Sequence, residues 1–140
     1  MNRSTPTRRE PFAFELDTRS GVPVYRQLID QVNSAIASGR LGPGDQLPTV
    51  RQAAVDLTIN PNTVIRAYRE LEIRGILTTQ QGTGTFVTDA QVEESKVERE
   101  RRLTRLVDEF AARAGRESFT IEELIARLEE MLPEKPAKRR

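Results

Sequence analysis

The chain has 140 residues, room for one small domain with an appendage, and its 31% charged and 36% hydrophobic residues are typical of a soluble protein. It contains neither histidine nor cysteine, which excludes disulfides and thiolate chemistry and removes the commonest general base and metal ligand. No apolar run approaches the roughly 18 residues of a membrane helix, and the first residues lack a signal-peptide core. We therefore expect a cytoplasmic protein that needs no membrane, metal or cofactor and carries no catalytic residues.

Residues 1–20 are polar and basic, and they predict an N-terminal arm with Phe12, Phe14 and Leu16 as its apolar anchors. The alternation of apolar and polar residues fits a short strand or an extended segment lying against the domain. Arg8 and Arg9 leave an arm in a DNA minor groove as the alternative.

Two helices are predicted next. The first begins at Pro23, keeps helical apolar spacing to about Ser38, and is ended by Gly39. The second is capped by Thr49 and carries apolar residues on one face. Between them, residues 46–48 are long enough for only one rung of a sheet.

A third helix is predicted from Asn60, a favoured N-cap residue, with Pro61 at the first helical position. Its apolar residues form one stripe at helical spacing: Val64, Ala67, Tyr68 and Leu71. We assign Tyr68 to the core. Gly75 supplies the C-terminal signal. Only three residues separate this helix from the one before it, which is the spacing of a helix-turn-helix.

The exposed face of this third helix is polar. Its first turn offers Asn62 and Thr63, followed one turn later by Arg66, and it carries no acid. A helix whose N-terminal residues probe base edges in a major groove needs such a surface. Asn62 can pair with adenine or finish capping the helix. Arg69 is expected to pair with neighbouring acids.

A β-hairpin is predicted after Gly75, because residues 76–80 and 85–87 are β-prone and residues 81–84 form a glycine-bearing turn. Glycines in such a turn let the backbone approach a phosphate or a groove closely, although an ordinary hairpin turn is the alternative. Directly behind a helix-turn-helix, this hairpin has the position of the wing of a winged helix.

Residues 89–133 predict a hairpin of two helices. A charged run leads into the first apolar stripe, Gly115 is expected to break the helix, and Thr120 with Glu123 forms a capping box before the second helix. The predicted dimerisation residues are Leu103, Leu106, Val107, Phe110, Ile121, Leu124, Ile125 and Leu128. The tail, residues 134–140, is predicted to be disordered.

Dimerisation is expected because two helices alone bury too little apolar surface to offset the entropy of ordering some forty residues at about 1–2 kcal/mol each. A second copy supplies the missing surface. The segment is also too short to enclose a ligand pocket of about 300–1,000 Å³, so we expect no tight small-molecule effector site.

Several motifs between Pro23 and Val87 resemble the GntR family of bacterial transcription regulators. They read Pro-Val-Tyr-Arg-Gln from Pro23, Gly-Arg-Leu-Gly-Pro-Gly-Asp-Gln-Leu-Pro-Thr-Val-Arg from Gly39, Asn-Pro-Asn-Thr-Val from Asn60 and Gly-Thr-Gly-Thr-Phe-Val from Gly82. The Asn-Pro-Asn-Thr opening and the short C-terminal segment most resemble the YtrA-type branch.

The resemblance implies a winged helix that binds double-stranded DNA as a dimer. Arg51 matches a DNA-contacting arginine of the family, and the starts of the third helix and of the wing match other contacts. Better-known branches place arginines where this chain has Pro61 and Ile65, so those contacts do not transfer. The predicted DNA-binding residues are Thr49, Arg51, Asn60, Asn62, Thr63, Arg66, Gly82, Thr83 and Gly84.

Together these features predict a mainly α fold with a small β-hairpin: a winged helix-turn-helix domain in residues 21–88, followed by the helical hairpin. The predicted function is a homodimeric repressor that binds a pseudo-palindromic operator. Arg51 would then bind a phosphate or the O6 and N7 atoms of guanine, unless it is solvated or paired with Asp56. A winged helix used only for protein–protein interaction is the alternative, favoured by the net charge of only +1.

Overall fold

The computed structural model describes residues 11–89 and 94–133, in two compact units, Met1–Asp89 and Ala90–Arg140. The first unit contains helices α1 (Val24–Ala37), α2 (Val50–Leu57) and α3 (Pro61–Ile73), then strands β1 (Leu77–Gln80) and β2 (Gly84–Val87). The second contains helices α4 (Lys96–Arg116) and α5 (Ile121–Met131). The predicted fold class is confirmed: a mainly α winged helix-turn-helix followed by a two-helix hairpin.

Helix α3 lies at the centre of the first unit, where it packs on α1, α2 and β1. The apolar stripe predicted for it is confirmed, because its four members are all buried: Val64, Ala67, Tyr68 and Leu71. From α1, the side chains of Leu28, Ile29 and Val32 pack into the same core. Burying each such aliphatic side chain contributes about 1.5–3 kcal/mol. The buried stripe therefore fixes which face of α3 points outward.

Tyr68 is a core residue, as predicted, and its phenol is anchored. Its Oη donates a 2.6 Å hydrogen bond to the carbonyl oxygen of Pro48, the residue before the α2 cap. The ring lies 6.3 Å from that of Phe14, centroid to centroid. Tyr68 thus ties α3 both to the start of α2 and to the N-terminal segment.

We expect Tyr68→Phe to reduce the free energy of unfolding by about 1 kcal/mol at neutral pH, because the hydrogen bond to Pro48 is lost. Burial raises the pKa of the Tyr68 phenol. The folded protein therefore holds this proton more tightly than the unfolded chain does. The protonated Tyr68 phenol therefore contributes its full stabilisation below pH about 10, the usual pKa of tyrosine. This stabilisation is lost as the pH rises above that value. Urea unfolding at neutral and alkaline pH should show a steeper alkaline loss in the wild type than in Tyr68→Phe; equal losses would contradict the prediction.

Both helices of the helix-turn-helix begin at the predicted caps. The Thr49 hydroxyl oxygen accepts a 3.0 Å hydrogen bond from the backbone N–H of Gln52, and Asn60 Oδ1 accepts one of 2.9 Å from the N–H of Asn62. The connection between the helices turns at Thr58, which has a left-handed backbone with φ of 54°. A β-branched residue is strained in that conformation.

Replacing Thr58 by glycine should therefore raise the free energy of unfolding by about 1 kcal/mol, since only glycine adopts the left-handed region without a Cβ clash. The same change at Thr78, an exposed residue of β1, is the control and should lower stability, because an extended residue gains nothing from glycine. Denaturant titration of both variants measures the two signs. A destabilised Thr58→Gly would contradict the assignment of strain.

The wing is a two-stranded antiparallel hairpin in which Leu77 pairs with Val87 and Gln80 pairs with Gly84. The single rung predicted from residues 46–48 is confirmed as a bridge between Gln46 and Phe86. Gly84 was expected in the turn, but it is the first residue of β2. Strand β2 is therefore bonded on both sides, by β1 and by the segment before α2.

The N-terminal segment is extended where the structure describes it, and no strand forms in residues 11–20. Two glutamine side chains of α1 instead form hydrogen bonds with the backbone groups of this segment. Gln31 Oε1 accepts a 2.9 Å hydrogen bond from Glu15 N–H while its amide donates to the Glu15 carbonyl. Gln27 bonds Asp17 N–H and carbonyl in the same way, at 2.9 Å each. This segment lies against the domain with Phe14 buried; Arg8 and Arg9 lie outside the described residues.

The second unit differs from the sequence-based expectation at one point. Gly115 was predicted to break the first helix, but it lies inside α4, which ends after Arg116 with Ser118 in a left-handed conformation at φ of 67°. The capping box of Thr120 and Glu123 is confirmed at the start of α5. Among residues 11–89 and 94–133, no helix is both long and apolar enough to cross a bilayer. The predicted disordered tail, residues 134–140, lies outside the described residues.

Candidate nucleic-acid interface

The outward face of α3 carries Asn62, Arg66 and Arg69, all exposed and lying opposite the buried stripe. Thr63 lies at the edge of this face and is half-buried. No acid occurs in the first turn of the helix. The face therefore offers amide, hydroxyl and guanidinium groups, which are the groups that bind base edges and phosphates.

The structure separates the capping residues from those that are free to bind a ligand. Thr49 and Asn60 both use their side-chain oxygens as N-caps, so their acceptor atoms are occupied within the protein. The cap bond to Asn60 comes from the backbone of Asn62, and the Asn62 side chain has no hydrogen bond to any described residue. Asn60 therefore caps α3, and the Asn62 side chain takes no part in the cap.

Arg51 is exposed at the start of α2, where the sequence allowed a pairing with Asp56. That pairing is absent, because Asp56 accepts a 2.7 Å hydrogen bond from Gln52 Nε2 instead. Arg69 was expected to pair with a neighbouring acid, and this is wrong within the described chain: Glu72 accepts from Thr79 on β1, and Arg69 has no ion pair there. Both guanidinium groups are thus exposed and have no ion-pair partner among residues 11–89 and 94–133.

Arg66 has a neighbour that the sequence did not reveal. Its guanidinium carbon lies 3.7 Å from the ring centroid of Tyr25, in the first turn of α1. Tyr25 is partly buried against the core, and no periodicity of the sequence indicates that its ring face meets a cation of another helix. Such a contact is attractive because the face of an aromatic ring is electronegative.

The wing tip consists of exposed residues. Gly82 has φ of 79°, and the Thr83 N–H closes the turn with a 3.0 Å hydrogen bond to the Gln80 carbonyl. Gly84 has φ of 138°, which side chains with a Cβ rarely adopt, and a Cβ there would also lie 2.5 Å from Gln46 Nε2, the movable end of that side chain. Backbone conformation therefore explains glycine at both residues 82 and 84.

The wing is tied to α3 by side chains. The Thr79 hydroxyl on β1 donates to the Glu72 carboxylate on α3, and it also lies 3.1 Å from the Thr85 hydroxyl on β2. Gln46 Nε2 donates a 3.2 Å hydrogen bond to the Thr83 carbonyl. These bonds hold the hairpin in a fixed orientation relative to the helix whose polar face is exposed.

Arginine supplies all the positive side chains from the first described residue to Asp89, since lysine first occurs at Lys96. Four exposed arginines lie on α2, on α3 or at the end of α3: Arg51, Arg66, Arg69 and Arg74. The guanidinium group binds both phosphates and base edges with a fixed fork geometry. The positive charge of this surface is therefore concentrated in a few well-defined groups.

Comparison with known proteins places this geometry in a family. The model of the bacterial regulatory proteins of the gntR family matches residues 24–87, from the start of α1 to the end of β2. YtrA from Sulfolobus acidocaldarius, a GntR-family transcription factor of known structure, is 32% identical with a TM-score of 0.53, over 72% of this chain and 98% of that one. This chain belongs to the GntR family.

Within the GntR family, the expected YtrA-type branch is confirmed. The transcriptional repressor YtrA of Bacillus subtilis is 44% identical over 75 residues, which are 54% of this chain and 58% of that protein. The chain thus matches less than two thirds of the length of such curated GntR relatives. A transcriptional antiterminator from Listeria monocytogenes shares the fold over 93% of this chain and all of its own, with a TM-score of 0.64 and 24% identity.

Proposed function

We propose that this GntR-family protein is a homodimeric, sequence-specific DNA-binding transcription regulator that represses from a pseudo-palindromic operator. One observation carries the proposal. Helix α3 is capped by Asn60, buried on its apolar side, and left with the Asn62 amide and two guanidinium groups exposed and without acidic partners in the described chain. A helix that enters the major groove needs this arrangement.

The sign of regulation is proposed from the Bacillus subtilis relative, which is named a repressor. A dimer bound at its operator would block polymerase there. If both copies lie on one face of the duplex, the half-site centres are separated by about one helical turn, roughly 34–36 Å.

Operator DNA lies in the cytoplasm, and we propose that location. The role is binding, with no catalysis and no tight small-molecule effector.

The second unit supports the dimer, because as a single copy its apolar faces have almost nothing to cover them. In its described part, only Ala114 is buried. The predicted interface side chains of α4 are between 46% and 63% exposed: Leu103, Leu106, Val107 and Phe110. On α5, Ile121, Ile125 and Leu128 are also exposed, while Leu124 is half-buried.

A second copy of the chain is the occupant that fits these faces best. Residues 89–140 carry twelve basic and thirteen acidic side chains, so two copies meet without net repulsion. The contact would be isologous, with the same apolar stripes on both sides, and it would give the two-fold symmetry that a pseudo-palindromic operator requires.

Selection of bound sequences from a random DNA pool tests the proposal. We expect a pseudo-palindromic motif, an affinity that falls steeply with salt, and a dimer by sedimentation at micromolar concentration. The upstream region of the protein's own gene should be tested beside the pool. No enriched motif and no salt-dependent binding, together with capture of a different protein, would instead support the interaction-module alternative.

A further inference from the structure

Arg66 is the one arginine of the candidate interface whose side chain is held by an aromatic ring in the described structure. The ring belongs to Tyr25 on α1, outside the pair formed by α2 and α3. Stacking satisfies one flat face of the guanidinium, while its five N–H donors point outward in the plane of the group. No described carboxylate or carbonyl accepts from them. The ring therefore orients the Arg66 guanidinium, and no described acid neutralises its charge.

The direction of the stack limits what the Arg66 donors can bind. Asn62, one turn earlier on α3, lies where a recognition helix contacts base edges. The Arg66 side chain is drawn sideways from that turn towards α1, at the flank of α3. The flanks of a helix in the major groove face the phosphates that border the groove, and a phosphate oxygen accepts from a guanidinium edge over a wide range of angles.

We propose that Tyr25 is a positioning residue for DNA binding, which holds the Arg66 guanidinium so that its N–H edge binds a backbone phosphate beside the groove. This inference rests on the proposed function and narrows it. Arg66 sets the affinity and register of the complex, while sequence is read by other side chains. Tyr25 acts through Arg66, because an exposed arginine without the ring would lose more rotamer freedom on binding.

The test is a double-mutant cycle of Tyr25→Leu and Arg66→Ala, with Tyr25→Phe as the conservative variant. Leucine keeps the apolar contact with the core and removes the aromatic face. Affinities are measured on a duplex selected from the random pool and on a scrambled duplex, over a range of salt concentrations. Thermal melting of each variant confirms that it is folded.

We expect Arg66→Ala to weaken binding to both duplexes by the same factor and to lower the log–log salt slope by about 1 for each Arg66 that contacts DNA. Tyr25→Leu should weaken both by about two- to fivefold, the range of an exposed cation–π contact. Tyr25→Phe should retain wild-type affinity. In the Arg66→Ala background, Tyr25→Leu should have no further effect, whereas a merely structural role for Tyr25 would persist there and lower the melting temperature.

Three results would overturn the inference: wild-type affinity of Tyr25→Leu, an undiminished effect of Tyr25→Leu in the Arg66→Ala background, or a loss in Arg66→Ala confined to the selected duplex. The last would make Arg66 a base reader. Failure of the proposed function looks different, because the wild-type protein itself would then bind neither duplex in a salt-dependent manner.

Discussion

Replacing Leu106 by glutamate should convert the protein to a monomer and abolish tight operator binding. Leu106 lies within the exposed stripe of α4 and is 63% exposed in the single chain. In an isologous dimer each of the two copies would bury one such carboxylate in the interface, and an unpaired buried charge costs about 3–5 kcal/mol. A monomer also has only one winged helix to bind the operator, and the loss of bivalent binding removes a further factor of about 10²–10⁴ in affinity. Sedimentation and gel-shift titration measure the two losses separately.

Ala112→Glu is the matched control for this experiment. Ala112 is exposed on the opposite side of the same helix, so the substitution adds the same charge without entering the stripe. It should leave both the dimer and the DNA affinity intact. If Leu106→Glu remains dimeric while folded, the second copy does not dock on this face and the dimerisation proposal is wrong.

Asn62→Ala and Arg51→Ala should each weaken binding to the selected operator by about 1–3 kcal/mol per half-site, with a much smaller effect on a scrambled duplex. Both side chains are exposed and free of protein partners within residues 11–89 and 94–133. A bidentate contact with adenine or guanine is lost only when the correct base is present. Competition between the two duplexes gives the specificity ratio directly.

Arg74→Ala is the control for the charge change in Arg51→Ala. Arg74 is exposed and follows the last residue of α3, at the end remote from the polar first turn. Its loss should reduce affinity for both duplexes slightly and equally. If Asn62→Ala loses as much on the scrambled duplex as on the selected one, then Asn62 contacts only the backbone and sequence is read elsewhere.

The elements of the fold could be predicted because their signals are local. Asn60 followed by Pro61 fixes the start of α3, and the spacing of Val64 and Leu71 fixes the face that is buried. The capping box at Thr120 likewise depends on residues three apart. Gly115 misled the prediction, since glycine weakens a helix by only about 1 kcal/mol and the flanking residues of α4 outweigh that cost.

The candidate interface was predicted only in part, because its details depend on contacts between distant segments. The sequence places Arg66 on the exposed face of α3, but its contact with Tyr25 requires α1 to cross α3 at one particular point. The wing is likewise held by a long-range contact, since Gln46 donates to the carbonyl of Thr83, 37 residues later in the chain. The partner of Asp56, by contrast, could have been predicted, because Gln52 lies four residues before it on α2 whereas Arg51 lies five before it.

The exclusive use of arginine up to Asp89 has a practical consequence, since the only lysines are Lys96, Lys135 and Lys138. Enzymatic acetylation and amine-reactive dyes act on lysine side chains, so neither can neutralise a cation of the winged helix. A fluorophore coupled to a lysine amine would therefore report DNA binding by anisotropy, while every guanidinium of the candidate nucleic-acid interface keeps its charge.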